Sequence, residues 1–359
     1  MIANTDLRSF DVVEITNEMP WNRIGGVGTV VENLISGFAA LGTRALWFLI
    51  DHGYRPFEVE RILAGWPNVA VGTHEDLRRF ETPVAHLHAY AVSDGLLPAL
   101  DGARLLFTVH SLLVEEERSN DVDLSGAVRW QEALFERSDE VALISDAERA
   151  RYQALGYERL NPRVSVVHNG LRRPPRFRVR TASRTLGFSG RLVPRKHPEY
   201  AQMILCEPGF EHQRTLIAGK AFSTYARDLV GRLELEERVR YVGWCGGERL
   251  EAFYDAIDVL ALPSSYEPFG MAALEAAARG IPVVCTPIDG LVEVLGEFAF
   301  YAEDDSYRAF CTAMRRWAGA GNAELGRVAR GARRRYLERF TDVHMAQRYL
   351  ERFESLAAQ

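Results

Sequence analysis

Short apolar runs alternate along this chain with longer segments whose apolar residues return every three to four positions. Asp11-Val12-Val13-Glu14-Ile15 is a run of the first kind and predicts a buried strand. Thr29 to Leu41 is of the second kind, with Val30, Leu34, Phe38 and Leu41 at helical spacing and Gly42 as the stop. Ala45 to Ile50 is again a strand, so the chain opens strand, Gly-rich loop, helix, strand. Further strands are predicted to end at His88 and His110, over 141–145 and over 164–167, with helices over 127–137 and from Asp146. Arg172 to Arg184 is basic, contains proline and has no apolar period, which marks a linker. Strands then recur at 185–189, 215–219, 239–243, 259–263, 281–285 and 298–302, and Met271 to Arg279 is a helix that Gly280 and Pro282 terminate. Residues 309–339 and 341–357 are helical. The pattern predicts an α/β chain of two doubly wound Rossmann-like domains: 1–172, a linker over 173–184, 185–340, and a terminal helix over 341–359.

Composition narrows the function classes. A single core rarely grows past ~250–300 residues, so 359 residues support two domains. A net charge of −6, from 43 basic and 49 acidic residues, excludes a general nucleic-acid binder and permits a local basic pocket. Cys206, Cys245, Cys285 and Cys311 form no C-x-x-C pair and read as reduced thiols. Met1–Asp6 lacks a basic, then apolar, leader, and no run reaches the ~18 apolar residues of a membrane span. A cytoplasmic protein is expected; contact with a membrane surface is left open.

The chemistry concentrates in Ser264–Gly290. Gly270 before a helix lets backbone N–H groups approach an anion, to which the helix N-terminus adds partial positive charge. Glu267 before that helix and Glu275 within it are placed to accept hydrogen bonds from hydroxyls. Phosphate on a helix end with hydroxyls on both sides describes a sugar nucleotide. Gly190-Arg191-Leu192-Val193-Pro194-Arg195-Lys196 follows a strand, in a loop expected to be exposed, and Arg191 and Lys196 can clamp a diphosphate. His110 ends a strand, where ligands gather in open α/β sheets. Gly26-x-Gly28 with Asp51 imitates a dinucleotide fingerprint, but Val31 stands where its third glycine belongs and the glycines begin ten residues after Ile15. His86 and His88 share one strand face, the arrangement of a metal pair, yet no third ligand is evident near them in sequence, and packing is the favoured role. Asp121-Val122-Asp123 follows no apolar strand. The stretch Leu113–Gly126 reads as a solvated polar loop or acceptor-facing lid, so no metal site is expected there.

Glu267-x7-Glu275, inside E-P-F-G-x-x-x-L-E-A-x-A-x-G-x-P-V-V, resembles the donor-site signature of retaining glycosyltransferases of the GT-B fold, most closely family 4 and the glycogen-synthase-like group. G-R-L-x-x-x-K at Gly190–Lys196, T-V-H at His110, H-x-H at His86 and His88, V-x-N-G at Asn169 and E-M-x-x-x-R-x-G-G-V from Glu18 resemble further elements of that family, in its order. The resemblance implies two domains facing a cleft, with the terminal helix returning to the N-terminal, acceptor-side domain. It implies a nucleotide-sugar donor held on the C-terminal domain and an acceptor hydroxyl on a small molecule or glycolipid. Glu275 would hold the ribose and Glu267 the sugar's O3/O4 side. Arg191, Lys196, Arg23, Gly190 and the backbone near Gly25, Gly26, Pro268, Phe269, Gly270 and Met271 would hold the diphosphate. Asn169 would belong to the donor site and His110 would approach the sugar's primary hydroxyl. No metal or other cofactor is implied. Arg172 departs from the pattern, which often carries an aspartate there. A sugar-nucleotide epimerase or sugar phosphorylase of the same fold is the alternative.

Overall fold

Apolar, β-branched runs buried on both faces pair in parallel, and every paired strand here is parallel. The computed structural model describes residues 11–19, 25–49, 69–72, 84–88, 100, 102–181, 184–233 and 235–359. Met1–Asp6, Arg23, Ile50, Asp51 and Ser183 therefore lie outside the described residues. Among the described residues one sheet has seven strands: β1 (Val12–Thr16), β2 (Ala45–Leu49), β3 (Val69–Gly72), β4 (Val84–Leu87), β5 (Arg104–Val109), β6 (Glu140–Leu143) and β7 (Val164–Val166), in the order β3-β2-β1-β4-β5-β6-β7. The other has six: β8 (Thr185–Ser189), β9 (Arg214–Ala218), β10 (Val239–Gly243), β11 (Val259–Leu262), β12 (Val283–Cys285) and β13 (Phe300–Tyr301), in the order β10-β9-β8-β11-β12-β13. Strand order reverses between β1 and β4 in the first sheet and between β8 and β11 in the second. Connections leave opposite faces at such a point, and the crevice beyond the strands' carboxyl ends is where doubly wound folds bind ligands.

The chain divides into two compact units, 1–114 with 123–172 and 340–359, and 115–122 with 173–339. In the first, Phe107, Phe135, Tyr152 and Tyr157 are packed in one buried cluster under β5 and β6. The terminal helix Asp342–Ala357 belongs to this unit: Thr341 caps it, and Ser36 of the helix Gly26–Ala40 donates to Asp342 at 2.7 Å. Gly170 lies against the Thr341 carbonyl so closely that any Cβ would collide with it. The same helix delivers buried Tyr349 to His86, ring centroids 4.5 Å apart.

The structure departs from the sequence pattern in three places. Residues 173–181 are not a free linker: Arg178 N donates to Arg279 O at 3.0 Å, and buried Arg180 donates to Tyr254 O at 3.0 Å, tying the stretch to the second unit. Leu113–Asn120 is a helix and not a loop, with Glu115 and Glu116 in the first turn, where the dipole favours acids, and Leu113 and Glu116 buried. β3 had no counterpart in the sequence reading.

Candidate active-site elements

The second unit assembles its chemistry where β8 and β11 end. Gly270 adopts φ +99°, a left-handed conformation that favours glycine, and a Cβ there would stand 2.7 Å from Leu291 Cδ2. Helix Met271–Arg279 starts from it and ends at Gly280, whose N–H returns to Ala277 O at 3.2 Å. Glu267 stands just ahead of this helix, and Lys196 reaches it from the turn after β8, Nζ to Oε2 at 2.8 Å. Each side chain is only about a tenth exposed, at 10% for Lys196 and 11% for Glu267. The loop expected to be exposed is thus partly core. Burial lowers the Lys196 pKa against the pull of Glu267. Burial alone would raise Glu267, but Lys196, Arg195 and Arg191 together hold it below the ordinary carboxylate value, so it is an anion at neutral pH.

Arg191 is half-exposed and forks onto Glu116, Nη2 to Oε1 at 2.7 Å and to Oε2 at 3.0 Å. Arg195 is buried. It donates to Glu116 at 3.0 Å and to Tyr266 O at 2.5 Å, with its guanidinium 5.3 Å from the Tyr266 ring centroid. Arg195 is a third cation of this cluster that the sequence reading left without a role, although it sits inside the quoted loop. Lys196 and Arg191 are therefore each bonded to a carboxylate. Further along helix Met271–Arg279, buried Glu275 accepts from Tyr254 OH at 2.6 Å, while Arg279 donates to Glu275 O at 2.9 Å and lies 4.7 Å from the Tyr254 ring centroid. Burial and Glu275 push the Tyr254 phenol well above its ordinary value, so Tyr254 remains a donor. Exposed Trp244 and Phe222 flank Lys220 beyond the ends of β10 and β9, with Nζ 5.3 Å and 5.1 Å from the ring centroids.

The first unit holds a different group at the ends of β1, β4 and β5. Glu14, fully buried, stands 2.8 Å from His86 Nδ1 and 2.8 Å from His88 Nε2. It is the third polar group that sequence proximity did not reveal: β1 pairs Glu14 directly with His86. His86 Nε2 meets Thr108 Oγ1 at 2.7 Å, and Thr108 meets Tyr349 OH at 3.1 Å. His88 Nδ1 meets His110 Nε2 at 3.1 Å, and His110 is half-buried. Burial would raise Glu14, yet the two imidazoles hold it down to about 2. Burial and His86 push His88 down to about 4 despite Glu14, and burial, His88 and His86 push His110 well below the ordinary histidine value.

The glycine loop behaves differently from expectation. Glu18 Oε2 accepts from Gly25 N at 3.0 Å and, in the first turn of the helix Gly26–Ala40, from Gly28 N at 2.9 Å, so two amides flanking Gly26 already serve an internal carboxylate. Asn169 is buried, and its Oδ1 has no hydrogen-bond partner among the described residues. Arg23 lies outside the described residues. Asp121 and Asp123 are exposed, and Asp123 accepts from Ser125 N at 2.9 Å.

The Glycosyltransferase Family 4 profile matches residues 24–172, and the Glycosyl transferases group 1 profile matches residues 174–323. An uncharacterized glycosyltransferase of Methanocaldococcus jannaschii is 33% identical over 151 residues, which are 37% of this chain and 38% of that protein. The D-inositol 3-phosphate glycosyltransferase of Corynebacterium efficiens is 29% identical over 220 residues, 54% of this chain and 52% of that protein. The matched stretches thus span 38% to 52% of those relatives' own lengths. The crystal structure of Anabaena HepE in complex with UDP and glucose covers 96% of this chain and 100% of its own at a TM-score of 0.74 and 18% identity, a likeness of fold. Two Rossmann-like units, two adjoining profiles of one enzyme group and a GT-B neighbour along nearly the whole chain converge: the chain belongs to the family 4-like glycosyltransferases of the GT-B fold.

Proposed function

We propose that this enzyme moves a sugar from a nucleoside-diphosphate donor to an acceptor hydroxyl with retention of anomeric configuration. The observation that carries the reading is the buried Lys196–Glu267 pair, set beside the N-terminus of helix Met271–Arg279 and backed by Arg195 and Arg191. In glycosyl transfer the bond from the anomeric carbon to the diphosphate breaks, so negative charge grows on the leaving group and positive charge on the sugar. Lys196, Arg191, Arg195 and the amides at Phe269, Gly270 and Met271 are the groups assigned to the leaving diphosphate; one such donor is typically worth about 3–4 kcal/mol in the transition state. Glu267, an anion, accepts from the sugar's O3/O4 hydroxyls, and Glu275 accepts from the ribose, oriented by Tyr254. Trp244 and Phe222 offer faces for the base.

Retention fits the carboxylates. Glu267 and Glu275 are committed to donor hydroxyls, and His110 is assigned to the sugar, so a leaving-phosphate oxygen takes the acceptor proton on the face where the new bond forms. Three cations supply the charge a divalent ion would otherwise carry, so the proposed reaction needs no metal. HepE is described in complex with UDP and with UDP-glucose, which makes uridine donors the first to try here. The acceptor is proposed to be a small molecule or glycolipid, and the compartment the cytoplasm. No helix among the described residues is long and apolar enough to cross a membrane.

The test is release of nucleoside diphosphate from a panel of nucleotide sugars, with and without acceptors, in excess EDTA. Acceptor-dependent release in EDTA is expected. Interconversion of the sugar without release would indicate an epimerase. Activity lost in EDTA and restored by Mg²⁺ or Mn²⁺ would end the metal-independent reading.

A further inference from the structure

The histidine cluster is ordered outward from one buried carboxylate, and that order decides what His110 offers. Glu14, ionised, has only lone pairs to give, so the His88 nitrogen 2.8 Å from it, Nε2, carries the proton. A neutral His88 then has a lone pair at Nδ1. His110 Nε2 lies 3.1 Å from that lone pair and bonds to it only as N–H, because two lone pairs would repel. A neutral His110 is left with a lone pair at Nδ1. We infer that Glu14 and His88 are positioning residues that fix His110 as a hydrogen-bond acceptor at Nδ1, so that the donor-sugar group it meets is a hydroxyl and not a carboxylate. The substrate part of this inference rests on the proposed contact between His110 and the sugar.

The surroundings leave few other protonation patterns. Among the described residues, the groups facing the cluster are Glu14 on β1, His86 on β4 and His88 directly after it, Thr108 on β5 and Tyr349 on the terminal helix. Tyr349 bonds Thr108, and burial raises its phenol, so it brings no charge. Burial disfavours the cationic forms of His88 and His110 alike. Trp47, 6.3 Å from the His88 ring centroid, adds an apolar wall.

A uronic-acid donor would set its carboxylate against the Nδ1 lone pair with no proton to share. Sites built around one hydrogen-bond polarity reject the wrong partner strongly, so kcat/KM should favour a hydroxymethyl donor over its uronic-acid counterpart by at least about a hundredfold. In Glu14→Gln the carboxamide can donate as well as accept, the proton order can reverse, and that preference should narrow at least about tenfold.

The experiment is long-range ¹H–¹⁵N correlation on the ¹⁵N-histidine-labelled full chain at neutral pH, with His110 assigned by loss of its signals in His110→Gln. Neutral His110 protonated at Nε2 is expected. A cationic His110, or one protonated at Nδ1, would overturn the inference, and this spectrum of the wild-type protein stands even if Glu14→Gln does not fold. Paired kinetics with the two donors test the substrate part: equal use of both by an active enzyme would overturn it. Absence of transfer from every donor would instead refute the glycosyltransferase reading while the spectrum still decides the proton order.

Discussion

Lys196→Met separates the two roles of the Lys196–Glu267 pair. Methionine keeps much of the lysine stem and removes the charge, leaving Glu267 buried with Arg195 and Arg191 as its remaining cations. Breaking one side of a buried pair typically costs about 3–5 kcal/mol; the two arginines place this case at the lower end, about 3 kcal/mol. Turnover should fall by about 10²–10³-fold, the usual effect of removing one donor to developing negative charge. Adding Glu267→Gln to the same chain removes the unpaired charge, so about 2 kcal/mol of stability should return, while turnover stays low or falls further. Urea unfolding reads the first quantity and single-turnover release of nucleoside diphosphate the second. If Glu267→Gln leaves Lys196→Met no more stable, the two side chains are not coupled as the 2.8 Å contact requires. If Lys196→Met alone turns over within about threefold of wild type, Lys196 is not part of the clamp.

Two other outcomes follow from buried groups. Glu275→Gln should weaken binding of the free nucleoside diphosphate about tenfold or more, and Tyr254→Phe by less, because Tyr254 only orients the carboxylate; a 2′-deoxy nucleotide should bind wild type worse but lose little further in Glu275→Gln. Calorimetry showing equal affinity of wild type and Glu275→Gln would leave Glu275 a structural partner of Tyr254 with no role in binding the nucleotide. His88 is held near 4 in the folded protein against an ordinary 6.5, so between those values the unfolded chain binds more protons and stability rises with pH. Lowering pH across that window should remove up to about 3 kcal/mol. His88→Gln should flatten the slope in urea midpoints, and an unchanged slope would deny that His88 is buried neutral.

The strand and helix alternation was legible because parallel strands buried on both faces read as unbroken apolar runs, and helix Met271–Arg279 carries its own stop at Gly280. The grouping of Glu267, Gly270 and Glu275 at one helix was legible because the three lie within one short stretch. Contacts between distant segments were not. Glu14 meets His88 74 positions away, and Tyr254 meets Glu275 21 positions away, through sheet pairing and helix packing that periodicity does not encode. A signal was nonetheless present: Glu14 interrupts an otherwise apolar strand, and a buried carboxylate needs a polar partner. Helix Leu113–Asn120 was not legible in the sequence because it is short and acidic, and its place depends on Glu116 meeting Arg191 and Arg195. Arg195 was hidden by a one-turn 3-10 helix, Pro194–Lys196, which buries it beside the more exposed Arg191.

The central claim is that fixed cations hold the leaving diphosphate on one face of the sugar while the acceptor enters on that same face. The anomeric proton of the product, followed by NMR from the first turnover with an α-linked donor, tests it directly. An α-linked product is predicted. A β-linked first product would contradict the account, because inversion needs a general base on the opposite face that none of the assigned carboxylates supplies.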